Sequence, residues 1–156
     1  MKSLKKIFLI VTAATALMVS CGRTGLYNQC VDVDEDGWHM DSAAIFNPVI
    51  TDTLHRFNMI VTVRHTSAYQ YQNFWMFVRI ISPDGMVARE PVECYLADNK
   101  GRFLGSGISI YEMPVLVSEK VNYPIAGEYR VEVFHGMRDT LLSGVRNICL
   151  TIEKAD

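Results

Sequence analysis

Three carboxylates at alternate positions are the densest group of potential metal ligands in the chain. They precede a glycine, and the run reads Asp32-x-Asp34-x-Asp36-Gly37. This spacing matches the first half of an EF-hand loop, in which carboxylates surround calcium and the glycine allows a sharp turn. The twelfth position needs a bidentate Glu but holds Ala43, so calcium would need another carboxylate, such as Asp41. We favour a solvated acidic linker and keep the three carboxylates as metal candidates.

A second dense group is aromatic and could bind a sugar or a protein. It consists of Tyr69, Tyr71, Phe74, Trp75 and Phe77. Aromatic side chains present large, rigid surfaces and often dominate the energy of protein interfaces. From Phe74 onward the chain reads as a buried strand whose aromatics should fill the core. Tyr69 and Tyr71 precede that strand, so we expect both to be exposed and name them as partner-binding candidates. A carbohydrate-binding alternative would use these two tyrosines with Trp75.

The remaining reactive side chains show no catalytic or zinc-binding spacing. The histidines follow neither a His-x-His nor an i, i+4 pattern, and we expect them at the surface or in turns: His39, His55, His65 and His135. Neither a G-x-S-x-G nucleophile motif nor a CxxC pair occurs. A carboxylate pair for glycoside hydrolysis depends on spatial separation, which a sequence does not show. We therefore predict a protein that is not an enzyme and binds no cofactor.

The first 21 residues determine where any binding can take place. Their basic head contains Lys2, Lys5 and Lys6. Residues 7–19 are uncharged and apolar, but too few for a stable transmembrane helix, which needs about 20 residues. A basic head, a short apolar run and small residues are typical of a cleaved signal peptide. Met18-Val19-Ser20-Cys21 resembles the bacterial lipoprotein box, with Met where Leu is usual. We expect cleavage before Cys21 and attachment of fatty acids such as palmitate to this residue.

Charge excludes several classes of partner. Cleavage leaves 136 of the 156 residues and removes three lysines, so 12 Lys and Arg face 17 Asp and Glu, a formal charge of −5. A nucleic-acid-binding protein should instead show a basic stripe. No basic cluster follows Cys21 to bind anionic head groups. Membrane attachment should therefore come from the acyl chains, of which a lipoprotein cysteine carries more than one.

Three cysteines remain once Cys21 is acylated. They are Cys30, Cys94 and Cys149, an odd number, so at least one stays free or pairs between molecules. An oxidising compartment permits one bridge within the chain. Strand parity argues against a Cys94–Cys149 pair, and we favour no bridge within the chain.

Beyond residue 38 the polar and apolar residues alternate almost throughout, which predicts half-buried β-strands. The predicted strands cover about residues 44–50, 57–64, 74–81, 92–96, 103–111, 129–134 and 148–153. Turns are expected at Ser82-Pro83-Asp84-Gly85 and Asp98-Asn99-Lys100-Gly101. Residues 137–142 have room for one helical turn. The pattern predicts an all-β chain folded as an antiparallel β-sandwich, immunoglobulin-like or jelly-roll in type, with about seven or eight strands. We divide the chain into a signal peptide (1–20), an acylated Cys with its tether (21–37) and the sandwich (38–156).

Two features near the end of the chain carry specific expectations. Residues 124–129 look like the start of a late strand in immunoglobulin-like sandwiches, where a buried Tyr hydroxyl bonds back to nearby backbone. Tyr129 would supply that hydroxyl. Met137 and Arg138 follow in the loop between the last two predicted strands. Loops on a rigid scaffold often carry binding residues, so both are further partner-binding candidates.

The whole mature chain resembles the GldH-type gliding-motility lipoproteins of the Bacteroidota. The order and spacing of several motifs carry the resemblance, together with the lipoprotein box. These motifs are Trp38-x-x-Asp41, Arg64, Tyr69-x-Tyr71-x-Asn73-Phe74, Leu96-Ala97-Asp98-x-x-Gly101-x-Phe103-Leu104-Gly105-x-Gly107, Pro124-x-x-Gly127-x-Tyr129, Met137-Arg138, Leu142-x-Gly144-Val145 and Ile152-Glu153-Lys154. The chain departs from the family where Phe103 replaces an expected Trp and Cys149 an expected Gly, and the second departure makes a free Cys149 local drift rather than a site of chemistry.

The resemblance implies a cell-envelope lipoprotein of the gliding apparatus, with other envelope lipoproteins or motility and secretion proteins as partners. Members of the family accompany type IX secretion machinery in many species, and the family has no known catalytic residues. Surface-exported lipoproteins of this phylum usually carry acidic residues directly after the acylated Cys. Here the sequence is Gly22-Arg23-Thr24-Gly25. We therefore expect an outer-membrane lipoprotein whose domain faces the periplasm.

Overall fold

A computed structural model of the protein describes residues 25–156, so the predicted leader and Cys21 lie outside the described residues. The described residues form twelve β-strands and no helix, and therefore no helix long and apolar enough to cross a membrane. The strands are β1 (Gly25–Asp32), β2 (Trp38–His39), β3 (Ala44–Phe46), β4 (Val49–Ile50), β5 (Arg56–Thr66), β6 (Asn73–Ile81), β7 (Val87–Tyr95), β8 (Ile110–Asn122), β9 (Gly127–Glu128), β10 (Arg130–His135), β11 (Leu141–Leu142) and β12 (Val145–Lys154).

Eight of these strands form two four-stranded antiparallel sheets. The first sheet has the order β1-β12-β5-β8, and the second has the order β3-β10-β6-β7. Two short ribbons, β2 with β11 and β4 with β9, complete the fold. The predicted all-β, sandwich-like architecture is confirmed.

Strict alternation of side chains builds the core between the two sheets. In β5 every second residue from Phe57 to His65 is buried, and β12 buries Ile148, Leu150 and Ile152 in the same way. The second sheet buries alternate residues of β6 and β10 against them. Each large apolar side chain removed from water contributes about 1.5–3 kcal/mol relative to an exposed one. Successive residues of a strand point to opposite faces, so burying one face fixes the register of every strand.

The local motifs that the sequence predicts are present. The Gly85 amide donates to the Ser82 carbonyl at 2.9 Å, and the Gly101 amide donates to the Asp98 carbonyl at 3.0 Å. Both glycines have positive φ, which a residue without a Cβ adopts without steric cost. The buried Tyr129 hydroxyl donates to the Ile125 carbonyl at 2.9 Å, as expected for the start of a late sandwich strand.

The predicted tether differs from the structure over much of its length. Gly25–Asp32 is not a linker but the edge strand β1, which pairs with β12 along its whole length. Its apolar residues Leu26, Tyr27 and Val31 are only partly buried, and a register irregularity after Gly25 interrupts the alternation that predicts a strand. The prediction of unpaired cysteines is also wrong, because Cys30 and Cys149 lie opposite each other in this pairing and form a disulfide. Among the described cysteines only Cys94 is free.

The strand predicted over 103–111 is mostly wrong, and the long strand β8 was missed. Residues 103–109 form turns and isolated bridges, in which Gly105 and Gly107 approach the backbone of the following strand. β8 begins at Ile110 and pairs with β5 through two register irregularities, which interrupt the alternation that sequence reasoning relies on. The helical turn expected over 137–142 is also wrong, because Leu141–Leu142 is strand β11.

Candidate functional site

The outer face of the second sheet carries aromatic side chains that no described element covers. Phe74, Met76 and Val78 of β6 are buried in the sandwich, whereas Trp75 and Phe77 on its other face are 38% and 52% exposed. β6 lies between β10 and β7, so its backbone is central while one of its faces is open. The expectation that the aromatics of this strand fill the core is therefore wrong for Trp75 and Phe77. The run is apolar on both faces, and the sequence cannot show which face meets another layer.

An open groove of about 490 Å³ lies at one end of this face. Its lining residues come from the segment before β6, the start of β6 and the loop that follows β10: Tyr71, Asn73, Trp75, Gly136, Met137 and Arg138. Three of the four partner-binding candidates therefore line one cavity, which we call the Trp75 groove. Asn73 and Gly136 are additions that sequence reasoning missed. Asn73 belongs to the Tyr-x-Tyr-x-Asn motif, which is the signal that could have indicated it.

Direct backbone contacts hold the loop after β10 against β6. The Gly136 amide donates to the Trp75 carbonyl at 2.7 Å, and the Trp75 amide donates to the Met137 Sδ at 3.3 Å. A Cβ at position 136 would lie 2.8 Å from Phe77 Cε2 and 3.2 Å from Trp75 Cβ. Glycine therefore lets the loop pack directly on the two exposed aromatics. The groove is shaped by a sheet and a fixed loop.

The rim of the groove is held by a bond between two segments far apart in sequence. The Tyr71 hydroxyl donates to the Asp139 Oδ2 at 2.7 Å, which raises the pKa of Tyr71 because the bond favours the protonated phenol. Tyr71 remains 39% exposed, so one edge of its ring is available for contact. On the opposite side, the Asn73 amide nitrogen donates to the Glu93 Oε1 at 2.8 Å. The groove thus combines aromatic surface with an exposed cation, Arg138, at its edge.

Tyr69 has a structural position, contrary to its predicted exposure. It is 4% exposed and packs against Phe74 and His65. Its hydroxyl donates to the Asn73 carbonyl at 2.7 Å, and burial raises its pKa. Tyr69 and Tyr71 are two residues apart, a spacing that would put both side chains on one face of an extended segment. Residues 67–72 instead turn between β5 and β6, and the two rings meet edge to face with centroids 5.9 Å apart, Tyr69 on the buried side and Tyr71 on the exposed side.

The acidic run Asp32-x-Asp34-x-Asp36 lies at the end of β1 and in the turn after it, with all three carboxylates exposed. Asp32 Oδ1 accepts a hydrogen bond from the Asn147 side chain at 3.3 Å, and Glu35 lies 3.7 Å from an Arg146 nitrogen. Across residues 25–156, no group of three or more His, Cys, Asp or Glu side chains is arranged to hold a metal ion.

Two histidines are buried, contrary to the expectation of surface or turn positions. His65 is enclosed by the rings of Tyr69, Phe103 and Tyr111. His135 packs edge-on against Trp38, and neither of its ring nitrogens has a hydrogen-bond partner in the described chain. Burial lowers the pKa of both. His39 and His55 are exposed beside Asp41 and Asp52. None of the four lies in the Trp75 groove.

Comparison with known proteins matches nearly all of the described chain to one family. A family model described as GldH lipoprotein matches residues 25–152. The chain is 25% identical over 155 residues to "Gliding motility lipoprotein GldH" of Flavobacterium johnsoniae, covering 94% of this chain and 96% of that protein. It is 25% identical over 164 residues to "Gliding motility lipoprotein GldH homolog" of Christiangramia forsetii, covering 100% of this chain and 99% of that protein. The resemblance inferred from the motifs is confirmed.

Among solved structures, the infectious bursal disease virus Gt strain is 14% identical with a TM-score of 0.31. The match covers 82% of this chain and 30% of the viral chain, and it is too remote to support an argument about fold or function.

Proposed function

The chain belongs to the GldH lipoprotein family, and on this premise we propose that it is a non-catalytic assembly component of gliding-motility machinery. Lipid on Cys21 holds it in the cell envelope, and the β-sandwich binds another envelope protein of that machinery. Both relatives are named as gliding motility lipoproteins, and neither name describes an enzyme. The proposal extends to the type IX secretion apparatus, which shares the envelope with this family.

The single observation that supports a binding role is the Trp75 groove. Its aromatic wall projects from a sheet, and its loop wall is held by the contacts of Gly136 and Met137 with Trp75. A site that is already ordered loses little conformational entropy on binding. Tryptophan, tyrosine and arginine are the side chains that most often dominate the binding energy of protein interfaces. Trp75, Tyr71 and Arg138 supply all three of these residue types around one cavity.

The lipid anchor places this surface close to a membrane. β1 begins at Gly25, only four residues after Cys21, so the sandwich is held within a short reach of the bilayer. We place the protein in the outer membrane with the sandwich in the periplasm, because the residues that follow Cys21 lack the acidic character of surface-exported lipoproteins in this phylum.

Photocrosslinking in intact cells tests the proposal. A photoreactive phenylalanine replaces Tyr71 or Trp75 in the groove, and in a control protein it replaces Leu116, which is 50% exposed on the outer face of the other sheet. We expect crosslinks to an envelope protein from the two groove positions and not from the control. Cys21→Ala should abolish these crosslinks together with gliding or secretion. Normal function of the Cys21→Ala protein would contradict the proposal.

A carbohydrate-binding role is the second candidate, and the exposure of Trp75 and Tyr71 along one groove favours it. The burial of Tyr69 removes one of the three aromatics that this alternative would use. Binding to a glycan array that disappears in the Tyr71→Ala protein would support the carbohydrate role. Crosslinks to an envelope protein without any glycan signal would support the assembly role.

A further inference from the structure

Two arginines contact a single buried carboxylate on the outer face of the second sheet, beyond the Trp75 groove, and a third arginine lies opposite one of them on the neighbouring strand. Glu132 of β10 is 4% exposed, and its Oε2 lies 2.6 Å from an Arg79 nitrogen. Its Oε1 accepts a hydrogen bond from Arg130 Nε at 2.7 Å. Arg89 of β7 makes no ion pair with any residue in 25–156. The cluster therefore carries a local excess of positive charge on a protein whose formal net charge is −2.

The pairing of β6 with β7 places two of these arginines side by side. Arg79 lies opposite Arg89. Two residues earlier in β6, Phe77 lies opposite Pro91, and the pairing between the two positions is regular. Pro91 has no amide hydrogen, so Phe77–Pro91 is a non-hydrogen-bonded pair, and the alternation of antiparallel pairs makes Arg79–Arg89 another. Side chains in such pairs are the closest in a sheet, with Cβ atoms about 4.5–5.5 Å apart. The guanidinium of Arg79 is paired with Glu132, whereas that of Arg89 has no ion-pair partner among residues 25–156, so an anion beside both arginines would compensate the charge of Arg89.

An apolar groove of about 350 Å³ adjoins the two arginines. Phe77, Pro91 and Phe134 supply apolar surface to this groove, and Arg79 and Arg89 line it with positive charge. Val78 and Glu90 also line it, but they alternate with these residues along β6 and β7, so their side chains project toward the other face of the sheet. Phe77 is opposite Phe134 on one neighbouring strand and Pro91 on the other, so three adjacent strands contribute to one surface. We call this surface the Arg89 groove. It combines an apolar pocket with paired guanidinium groups.

We propose that the Arg89 groove binds an extended acidic segment of a protein partner, with a carboxylate on Arg79 and Arg89 and the neighbouring apolar side chain on Phe77 and Pro91. Guanidinium groups match carboxylates in planar, bidentate geometry. The apolar pocket directly beside the charges favours a peptide, whose side chains alternate every few ångströms, over a bare phosphate. The inference rests on the proposed function, since it supplies the partner's chemistry for the sheet face that also carries Trp75.

A defined peptide pair tests the inference on the mature lipoprotein, purified in the uncharged detergent dodecyl maltoside. The probe is fluorescein-labelled Gly-Asp-Phe-Asp-Leu-Asp-Gly, and its control has Asn at every Asp position. We expect fluorescence anisotropy to detect binding of the acidic peptide and much weaker binding of the amide peptide. Arg89→Gln should weaken acidic-peptide binding about tenfold, because one charge-assisted contact is lost. Phe77→Ser should weaken it as well, through loss of the apolar surface.

The control variant is Arg146→Gln, which removes an equally charged and half-exposed arginine from β12 and should leave peptide binding unchanged. Arg89→Gln breaks no ion pair with a described residue, so its thermal unfolding midpoint should match that of the wild type. Three outcomes would overturn the inference. The two peptides could bind equally, or the Arg146→Gln protein could lose as much binding as the Arg89→Gln protein. Inorganic phosphate could also displace the peptide at a concentration equal to the peptide's own Kd. Crosslinks at Tyr71 without peptide binding would overturn this inference alone. Peptide binding without those crosslinks would contradict the proposed function.

Discussion

Cys30 and Cys149 face each other across β1 and β12 and form a disulfide between the first and last long strands of the domain. β12 is an inner strand of its sheet, held by β5 on its other side. The bond therefore ties the edge strand nearest the predicted lipid anchor to the interior of the fold. A pulling force at the start of β1 would therefore act on β12 as well as on the hydrogen bonds of the edge strand.

Loss of this disulfide should cost substantial stability. The bridge joins residues 119 positions apart, and loops of that length restrict the unfolded chain by about 4–5 kcal/mol in the chain-entropy model. We expect the Cys30→Ser, Cys149→Ser double variant to lose about 4 kcal/mol of unfolding free energy, measured by urea denaturation. Cys94→Ser removes the free thiol and is the control, with a much smaller loss. An unchanged urea midpoint in the double variant would contradict the structural role of the bridge.

Gly144 allows a close approach that no other residue type can make. It has φ +87°, and a Cβ there would lie 2.3 Å from the Tyr69 backbone nitrogen. Gly85 has nearly the same φ, +85°, but nothing within 4 Å of the added Cβ. Gly85→Ala should therefore cost only the left-handed backbone penalty of about 1–2 kcal/mol, whereas Gly144→Ala should cost clearly more. Chemical denaturation of both variants measures the difference. Equal losses would show that the backbone near Tyr69 relaxes freely.

The Tyr129 hydroxyl should contribute measurably to stability, unlike that of its aromatic neighbour Tyr123. Tyr129 bonds to the Ile125 carbonyl at 2.9 Å, whereas the buried Tyr123 hydroxyl has no partner in the described chain. We expect Tyr129→Phe to lower the unfolding free energy by about 1–2 kcal/mol, because it also leaves the carbonyl unsatisfied. Tyr123→Phe should be neutral or slightly stabilising. Thermal or urea unfolding of the pair compares them directly, and a larger loss at Tyr123 would contradict the hydrogen-bond assignment.

The two buried histidines should make the fold sensitive to mild acid. Burial lowers the pKa of His65 and His135 below the ordinary value of 6.5. Well above pH 6.5 both histidines are neutral in the folded and in the unfolded protein, so they contribute nothing to the pH dependence of stability. Below it the unfolded chain binds protons first, so stability falls by up to about 1.4 kcal/mol per pH unit for each histidine. Urea midpoints measured from pH 8 downward should therefore drop below about pH 6.5.

Replacement of one histidine tests which group is responsible. His65→Phe keeps an aromatic ring among Phe103, Tyr111 and Tyr69 but removes the titrating group. Its stability should depend less steeply on pH below 6.5 than that of the wild type. The exposed His39→Gln variant is the comparison: it removes only the smallest of the effects on the pKa of His135 and should change the slope less than His65→Phe does. The same slope in the His65→Phe protein would exclude His65 as a source of the acid sensitivity.

The bond between Tyr71 and Asp139 should be visible in the titration of the phenol. Asp139 raises the pKa of Tyr71 above its ordinary value of 10.0. We expect Asp139→Asn to lower the Tyr71 pKa toward that value, as followed by NMR of labelled tyrosine rings. The same variant should loosen the rim of the Trp75 groove and weaken the crosslinks at Trp75. An unchanged Tyr71 titration would show that the two side chains do not bond in solution.

The sequence by itself determined the features that depend on local chemistry. Alternation predicted a two-layer β-fold, Pro and Gly positions located its turns, and the spacing of residues 124–129 indicated the buried Tyr129 hydroxyl. The order of motifs along the chain identified the family. The turns follow from interactions between residues close in sequence, which appear as short motifs. The strands follow from the burial of one face, which appears as an alternation of polar and apolar residues.

The tertiary structure alone decided which faces meet and which cysteines pair. Trp75 and Phe77 alternate with core residues on an apolar strand, and only the absence of a described layer over the second sheet leaves them exposed. Cys30 reaches Cys149 because β1 pairs with β12, a register set by strands more than a hundred residues apart. Tyr69 is buried because the chain turns after β5. The alternation of polar and apolar residues shows which side chains share a strand face, but the partner of each face depends on contacts between distant segments. Those contacts build the Trp75 and Arg89 grooves.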